Sequence, residues 1–171
     1  MTELRLAKRM SRLGTETAFE VLVKARALEA KGRDIVHLEI GEPDFDTPAN
    51  IVEAGISALR KGYTHYGPSA GLPELRQAIA EEISVTRGIK VAPEEVVVVP
   101  GGKPIIFFTM LALVDAGDEV IYPNPGFPIY ESMINYAGGK AVPIKLREDR
   151  DFSLDVDELA GLINDRTRLI I

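Results

Sequence analysis

The chain has 171 residues, 46% of them hydrophobic and 27% charged, which is the composition of a folded globular domain and excludes a disordered chain. Its 26 acidic residues outnumber 20 basic ones for a net charge of −6, with no cluster of Lys and Arg, so the electrostatic footprint of a nucleic-acid binder is missing and small-molecule partners are expected. Cysteine is absent, which excludes disulfides, thiolate zinc sites and a cysteine nucleophile; no apolar run approaches the ~20 residues of a membrane span, and the charged start MTELRLAKRM is unlike a signal peptide, so a cytoplasmic protein is expected.

In chain order, residues 15–31 place Phe19, Leu22, Ala25 and Leu28 on one helical stripe that closes at Gly32. DIVHLEI, residues 34–40, has the pattern of a strand and runs into the turn-rich GEPDFDTP. Thr47 followed by Pro48 predicts an N-cap and a proline at the first position of a helix carrying Ile51, Ala54, Ile56 and Leu59, ending near Gly62. After GYTHYGPSAG a further helix is expected over 72–87, with Gly88 as its cap. His37, inside the first strand, and His65, in a loop, have no second histidine or acid set at ligand spacing, so neither is taken for a metal ligand. Asp44 and Asp46 are expected to serve the turn rather than to form an acid–base pair, and the mixed charges of KLREDRDF suggest a solvated loop.

From Glu95 the order alternates strictly. Strands are expected at 95–99, 118–122, 140–146 and from Arg168, with helices at 104–115, 128–137 and 155–164 between them. Alternation of this kind predicts right-handed crossovers and an α/β fold, a mostly parallel doubly wound sheet with helices on both faces behind an N-terminal helical arm. The chain stops on RLII, a strand barely begun, which suggests the first part of something longer.

Within EVVVVPGGKPIIFF, four valines end in Gly101, Gly102 and Lys103 before a helix that Pro104 is suited to start. In open parallel sheets ligands sit beyond the carboxyl ends of the strands, where loops become helix N-termini. Two glycines let backbone approach a ligand closely, and the amides of a helix start attract an anion, with phosphate the obvious guest. A tight turn with no ligand explains the same residues, and the stretch fits neither a nucleotide P-loop nor a dinucleotide fingerprint. One strand later, PNPGFP puts Phe127 in a Pro-Gly turn on the same expected rim. There it either stacks on a flat heteroaromatic ring or packs as a staple at the start of its helix.

Taken together, IGEPDFDTP, YGPSAGLPELRQAIA, VVPGGK and AGDEVIYPNPGFPIY resemble, in order and spacing, the N-terminal half of class I and II aminotransferases, pyridoxal-phosphate enzymes of fold type I. The resemblance runs from about Ala18 to the last residue. It implies that Gly101, Gly102 and Lys103 form the cofactor's phosphate turn, that Phe127 stacks on its pyridine ring, that Tyr66 reaches the phosphate of the neighbouring subunit in a homodimer, and that the Gly41 backbone lies beside the substrate carboxylate. It also implies a division into 1–42, an N-terminal arm and opening segment of the small domain, and 43–171, the first part of the pyridoxal-phosphate-binding large domain. A lysine at the place of Lys103 contacts the distal carboxylate of acidic substrates in some members, which makes Asp or Glu a candidate substrate.

The same resemblance marks what is missing. The family's cofactor-bearing lysine, its aspartate at the pyridine nitrogen, the tyrosine and asparagine at the phenolic oxygen and the arginine for the α-carboxylate belong to motifs that do not occur here; none of the eight lysines stands in the cofactor-bearing context. The implied function is transfer of an amino group from an amino acid to a 2-oxo acid by the complete enzyme, with this chain alone inactive and no catalytic residue in it. A lyase or synthase of the same fold type, and a non-catalytic binding or assembly module, remain as alternatives.

Overall fold

The computed structural model describes residues 5–14 and 17–171, and within it the chain forms two compact units, residues 1–39 with 101–171 and residues 40–100. The predicted helix start at Thr15 lies outside the described residues. Among the described residues no helix is long and apolar enough to cross a membrane.

The first unit is an α/β layer structure. Its helices are α1 (Thr17–Glu29), α4 (Gly102–Leu113), α5 (Ile129–Ala137) and α6 (Val156–Leu162), and its strands are β1 (Glu119–Asn124), β2 (Lys140–Lys145) and β3 (Thr167–Ile170). The sheet runs β2-β1-β3 and is parallel throughout. Because the chain crosses from β1 to one neighbour and then from β2 back over β1 to the other, right-handed crossovers put α5 and α6 on opposite faces. The expected doubly wound architecture is present, with these strands and helices within about two residues of their predicted bounds.

Its core lies between β1 and the α4–α5 pair. Val120 and Tyr122 project from one face of β1, two residues apart as a strand requires, against Met110 of α4, Val114 just past its end, and Met133 and Ile134 of α5. Met110, Val120 and Ile134 are completely inaccessible, each stabilising the unit by roughly 1.5–3 kcal/mol through removal of its side chain from water. At the amino end of the sheet the buried Glu119 accepts from Arg166 at 2.9 Å, Lys140 at 3.1 Å and Asn164 at 2.9 Å, knotting the start of β1 to β2 and to the approach to β3. These three donors, Asn164 foremost, hold the carboxyl far below the usual range, at about 2. A strap precedes α1 and climbs α5. Arg9 donates to the Tyr136 hydroxyl, Arg12 to the Tyr136 carbonyl, and Gly14 and Ser132 exchange hydrogen bonds at 2.9 and 3.2 Å.

The second unit holds α2 (Ala49–Arg60) and α3 (Pro73–Arg87). Pro48, not Thr47, is the residue before α2, and no side chain caps that helix. Gly88 ends α3 in the left-handed region at φ 65°, as expected for a glycine C-cap.

Two predicted strands are not strands. Residues 34–40 have no ladder, and Val36 and Leu38 are 79% and 88% exposed. The valine run 96–99 is also unpaired: Val96 is extended, Val97 is two-thirds exposed, and Val98 donates to Ala70 instead of to a neighbouring strand. Both runs have the β-branched composition of a strand, but ladder formation needs a partner backbone that neither finds among the described residues.

Candidate functional site

The site is built on the carboxyl edge of the first unit's sheet. α4 returns to β1 through the short link 114–118, so it runs antiparallel to β1 and its N-terminus lies toward β1's carboxyl end. α5 leaves that same end. The Phe107 and Tyr136 rings meet at 6.0 Å between centroids, which fixes the relative height of the two helices. At ~1.5 Å per residue, Gly102 lies ~8 Å and Ile129 ~10 Å beyond that contact, so both helix starts open on one edge at nearly one level.

Gly101 precedes α4 with φ 93° and ψ 173°, a conformation that side chains other than hydrogen rarely tolerate, and Gly102 and Lys103 form the helix's first two positions. No side chain caps the helix, and a Cβ placed on Gly101 or Gly102 would meet no atom within 4 Å. An unobstructed helix start of this kind attracts an anion through its amides and dipole. Pro104, at the third helical position, contributes no donor. Lys103 places its ammonium 5.3 Å from the centre of the Phe19 ring in the first turn of α1, within cation–π range. Of the stripe Phe19, Leu22, Ala25 and Leu28 only Ala25 is buried, whereas Phe19 is 52% exposed.

Phe127 follows the end of β1 and precedes α5. Its ring meets Tyr130 edge-on at 5.8 Å and remains 43% exposed. A staple would pair it with the fourth residue of the helix, Ser132, so this neighbour is different and part of the ring stays open to a ligand. Gly126 is more than a turn residue and has a steric duty: a Cβ there would collide with the Pro123 carbonyl oxygen, so the chain can fold back over the strand end only with glycine. The Pro-Gly-Phe spacing was the available signal.

Gly101, Gly102, Lys103 and Phe127 thus belong to the first unit, and Gly41 and Tyr66 to the second. Tyr66 is fully exposed. Gly41 has no neighbour within 4 Å of a built Cβ. A hollow of about 820 Å³ is lined by Lys145, Arg147, Asp149 and Phe152 among others and contains none of these six residues. Its Arg147 is held by Asp149 in two hydrogen bonds of 3.0 and 2.8 Å, so its cation is satisfied within the loop.

Residues 33–171 match the profile of the family described as aminotransferase class I and II, and the chain belongs to that family. It is 41% identical over 166 residues to a probable aspartate/prephenate aminotransferase of Aquifex aeolicus, covering 97% of this chain and 42% of that protein. It is 35% identical to an aspartate aminotransferase of Bacillus subtilis, covering 98% of this chain and 43% of that one. Among solved structures, aspartate aminotransferase from Thermus thermophilus with maleate superposes with a TM-score of 0.91 at 38% identity over 99% of this chain, and alanine aminotransferase from Pyrococcus furiosus with 0.89 at 36% over 97%. The chain spans 44% and 43% of those two structures, less than half the length of the relatives it matches.

Proposed function

We propose that this chain supplies the phosphate seat and one ring-flanking wall of a pyridoxal-phosphate-dependent aminotransferase that moves an amino group from an amino acid to a 2-oxo acid. The observation that carries the reading is the uncapped glycine start of α4 opening on the same sheet edge as the half-exposed Phe127. The residues fit the group: an anion has open space above Gly101 and Gly102, and a flat ring has the accessible part of Phe127 beside it. When bound, pyridoxal phosphate supplies the electron sink for amino-group transfer.

The chain's own residues bind and orient. Backbone amides at the start of α4 hold the phosphate, with the Lys103 charge nearby, and Phe127 restrains the ring's tilt. The exposed Tyr66 is assigned to the phosphate of a second subunit in a homodimer, and the open backbone at Gly41 to the substrate carboxylate. An acidic amino acid suits the ammonium of Lys103, and the aspartate aminotransferases among the relatives support that substrate class. Residues 1–42 are assigned to the arm and small-domain opening, and 43–171 to the large domain. No residue of this chain is assigned to move the substrate's proton, so the chain alone is expected to be inactive.

Fluorescence titration of the chain with pyridoxal phosphate, pyridoxal and inorganic phosphate tests the seat. Phe127→Ala should weaken pyridoxal phosphate and spare inorganic phosphate, whereas Gly102→Val should weaken both. Unchanged affinity for both ligands in Gly102→Val would remove the seat from α4. Borohydride treatment followed by peptide mapping should leave no single lysine stoichiometrically modified.

A further inference from the structure

Residues 34–39 are held in an unusual way. Among the described residues, backbone–backbone hydrogen bonding stops where Arg33 donates to Leu28 and resumes only where Ile51 donates to Pro48. The polar tie of this stretch is one imidazole. His37 Nε2 lies 2.9 Å from Oε1 of Glu29, the last residue of α1, and Nδ1 lies 2.6 Å from Oε1 of Glu39. Side chains alternate about this tie. Val36 and Leu38 face solvent, while the Glu39 carboxylate on the other side is only 9% exposed.

Two carboxylates cannot both accept from a neutral imidazole. The neutral ring has one N–H donor, and its other nitrogen turns a lone pair toward the second carboxylate; only imidazolium donates from both. We propose that His37 is a pH-operated clasp whose protonation fastens residues 34–39 to the last turn of α1 and whose deprotonation releases them. The carboxylates in hydrogen-bond reach of the ring are Glu29 from α1 and Glu39 from its own segment, and they supply the leading charge interactions on it. The hydrogen bonds from Glu39 and then Glu29 raise the histidine's pKa above 6.5, so the clasp persists to a pH at which an ordinary histidine has lost its proton. Its stabilisation is fully present below 6.5 and is lost as pH rises through the raised folded value. The device lies within the first unit and does not depend on which ligand the α4 corner takes.

The chain has only two histidines, so the imidazole resonances of the full chain give an uncluttered readout. His37→Gln assigns the His37 signal by its disappearance. The wild-type signal should titrate above 6.5, and Glu29→Gln and Glu39→Gln should each lower its midpoint, Glu39→Gln more. Amide exchange at residues 34–39, corrected for intrinsic rate, should be roughly two- to fivefold slower with the clasp closed than open, the range of an exposed ion pair. His37→Gln should abolish that pH dependence while β1 amides stay protected. A His37 midpoint at or below 6.5, or exchange in 34–39 with the same pH profile in wild type and His37→Gln, overturns the proposal; loss of β1 protection in the variant passes the decision to the wild-type midpoint and the two glutamine variants.

Discussion

Gly71 lies so close to Val98 that a Cβ built on it would stand 2.7 Å from the valine's Cγ2, while the Val98 N–H donates to the carbonyl of Ala70 at 2.9 Å. The contact fastens the valine run to the stretch that leads into α3. Gly71 also has φ 109°, so an added side chain meets both a collision and an unfavourable backbone. Gly71→Ala should destabilise by on the order of 2–5 kcal/mol in urea denaturation. Combining it with Val98→Gly, which removes both the Cγ2 and the Cβ that stands 2.8 Å from the added methyl, should recover the collision part and leave the backbone part. A single variant within experimental error of wild type would show that Gly71 is not confined in this way.

Acid should loosen the first unit through Glu119. Its folded pKa is depressed to about 2 from 4.5 by Asn164, Arg166 and Lys140. A depressed carboxyl stabilises in full above the unfolded value and loses that contribution as pH falls from 4.5 through about 2. Glu119→Gln should therefore lower the melting temperature at neutral pH and flatten its fall over that acid interval, read by circular dichroism. Equal slopes in the two proteins would mean that the knot at the amino end of the sheet carries no linked protonation.

The two corner glycines should behave differently. At Gly101, φ 93° with ψ 173° lies in a region nearly reserved for glycine, so Gly101→Ala should cost about 1–3 kcal/mol. Gly102 is already helical and has open space around its missing Cβ, so Gly102→Ala should change stability by less than about 1 kcal/mol. Thermal denaturation distinguishes them. Equal losses at both positions would contradict the backbone assignment of the corner.

The alternating half of the fold was legible because each element carries its own signal. The strand Glu119–Asn124 is short with an apolar middle, Gly138 terminates α5 with φ 99°, and Asp155 caps α6 by accepting from Asp157 and Glu158. Pairing has no such local mark. Val96–Val99 and Asp34–Ile40 look like strands one residue at a time, but ladder formation depends on a distant backbone. The corner glycines and Phe127 could be read from turn chemistry. By contrast, the contact of Phe19 with Lys103, the steric duty of Gly126 and the double clasp on His37 join residues whose proximity only the folded chain creates.

The reciprocal hydrogen bonds between Gly14 and Ser132 join positions 118 apart in sequence. A ribosome adding ~5–20 residues per second needs roughly 6–24 s to make the intervening stretch. For that whole interval the nascent leader has no docking surface, since Ser132 and Tyr136 do not yet exist. Order of manufacture thus makes the first-made segment of this unit one of the last to settle, and leaves it open to chaperones and proteases meanwhile.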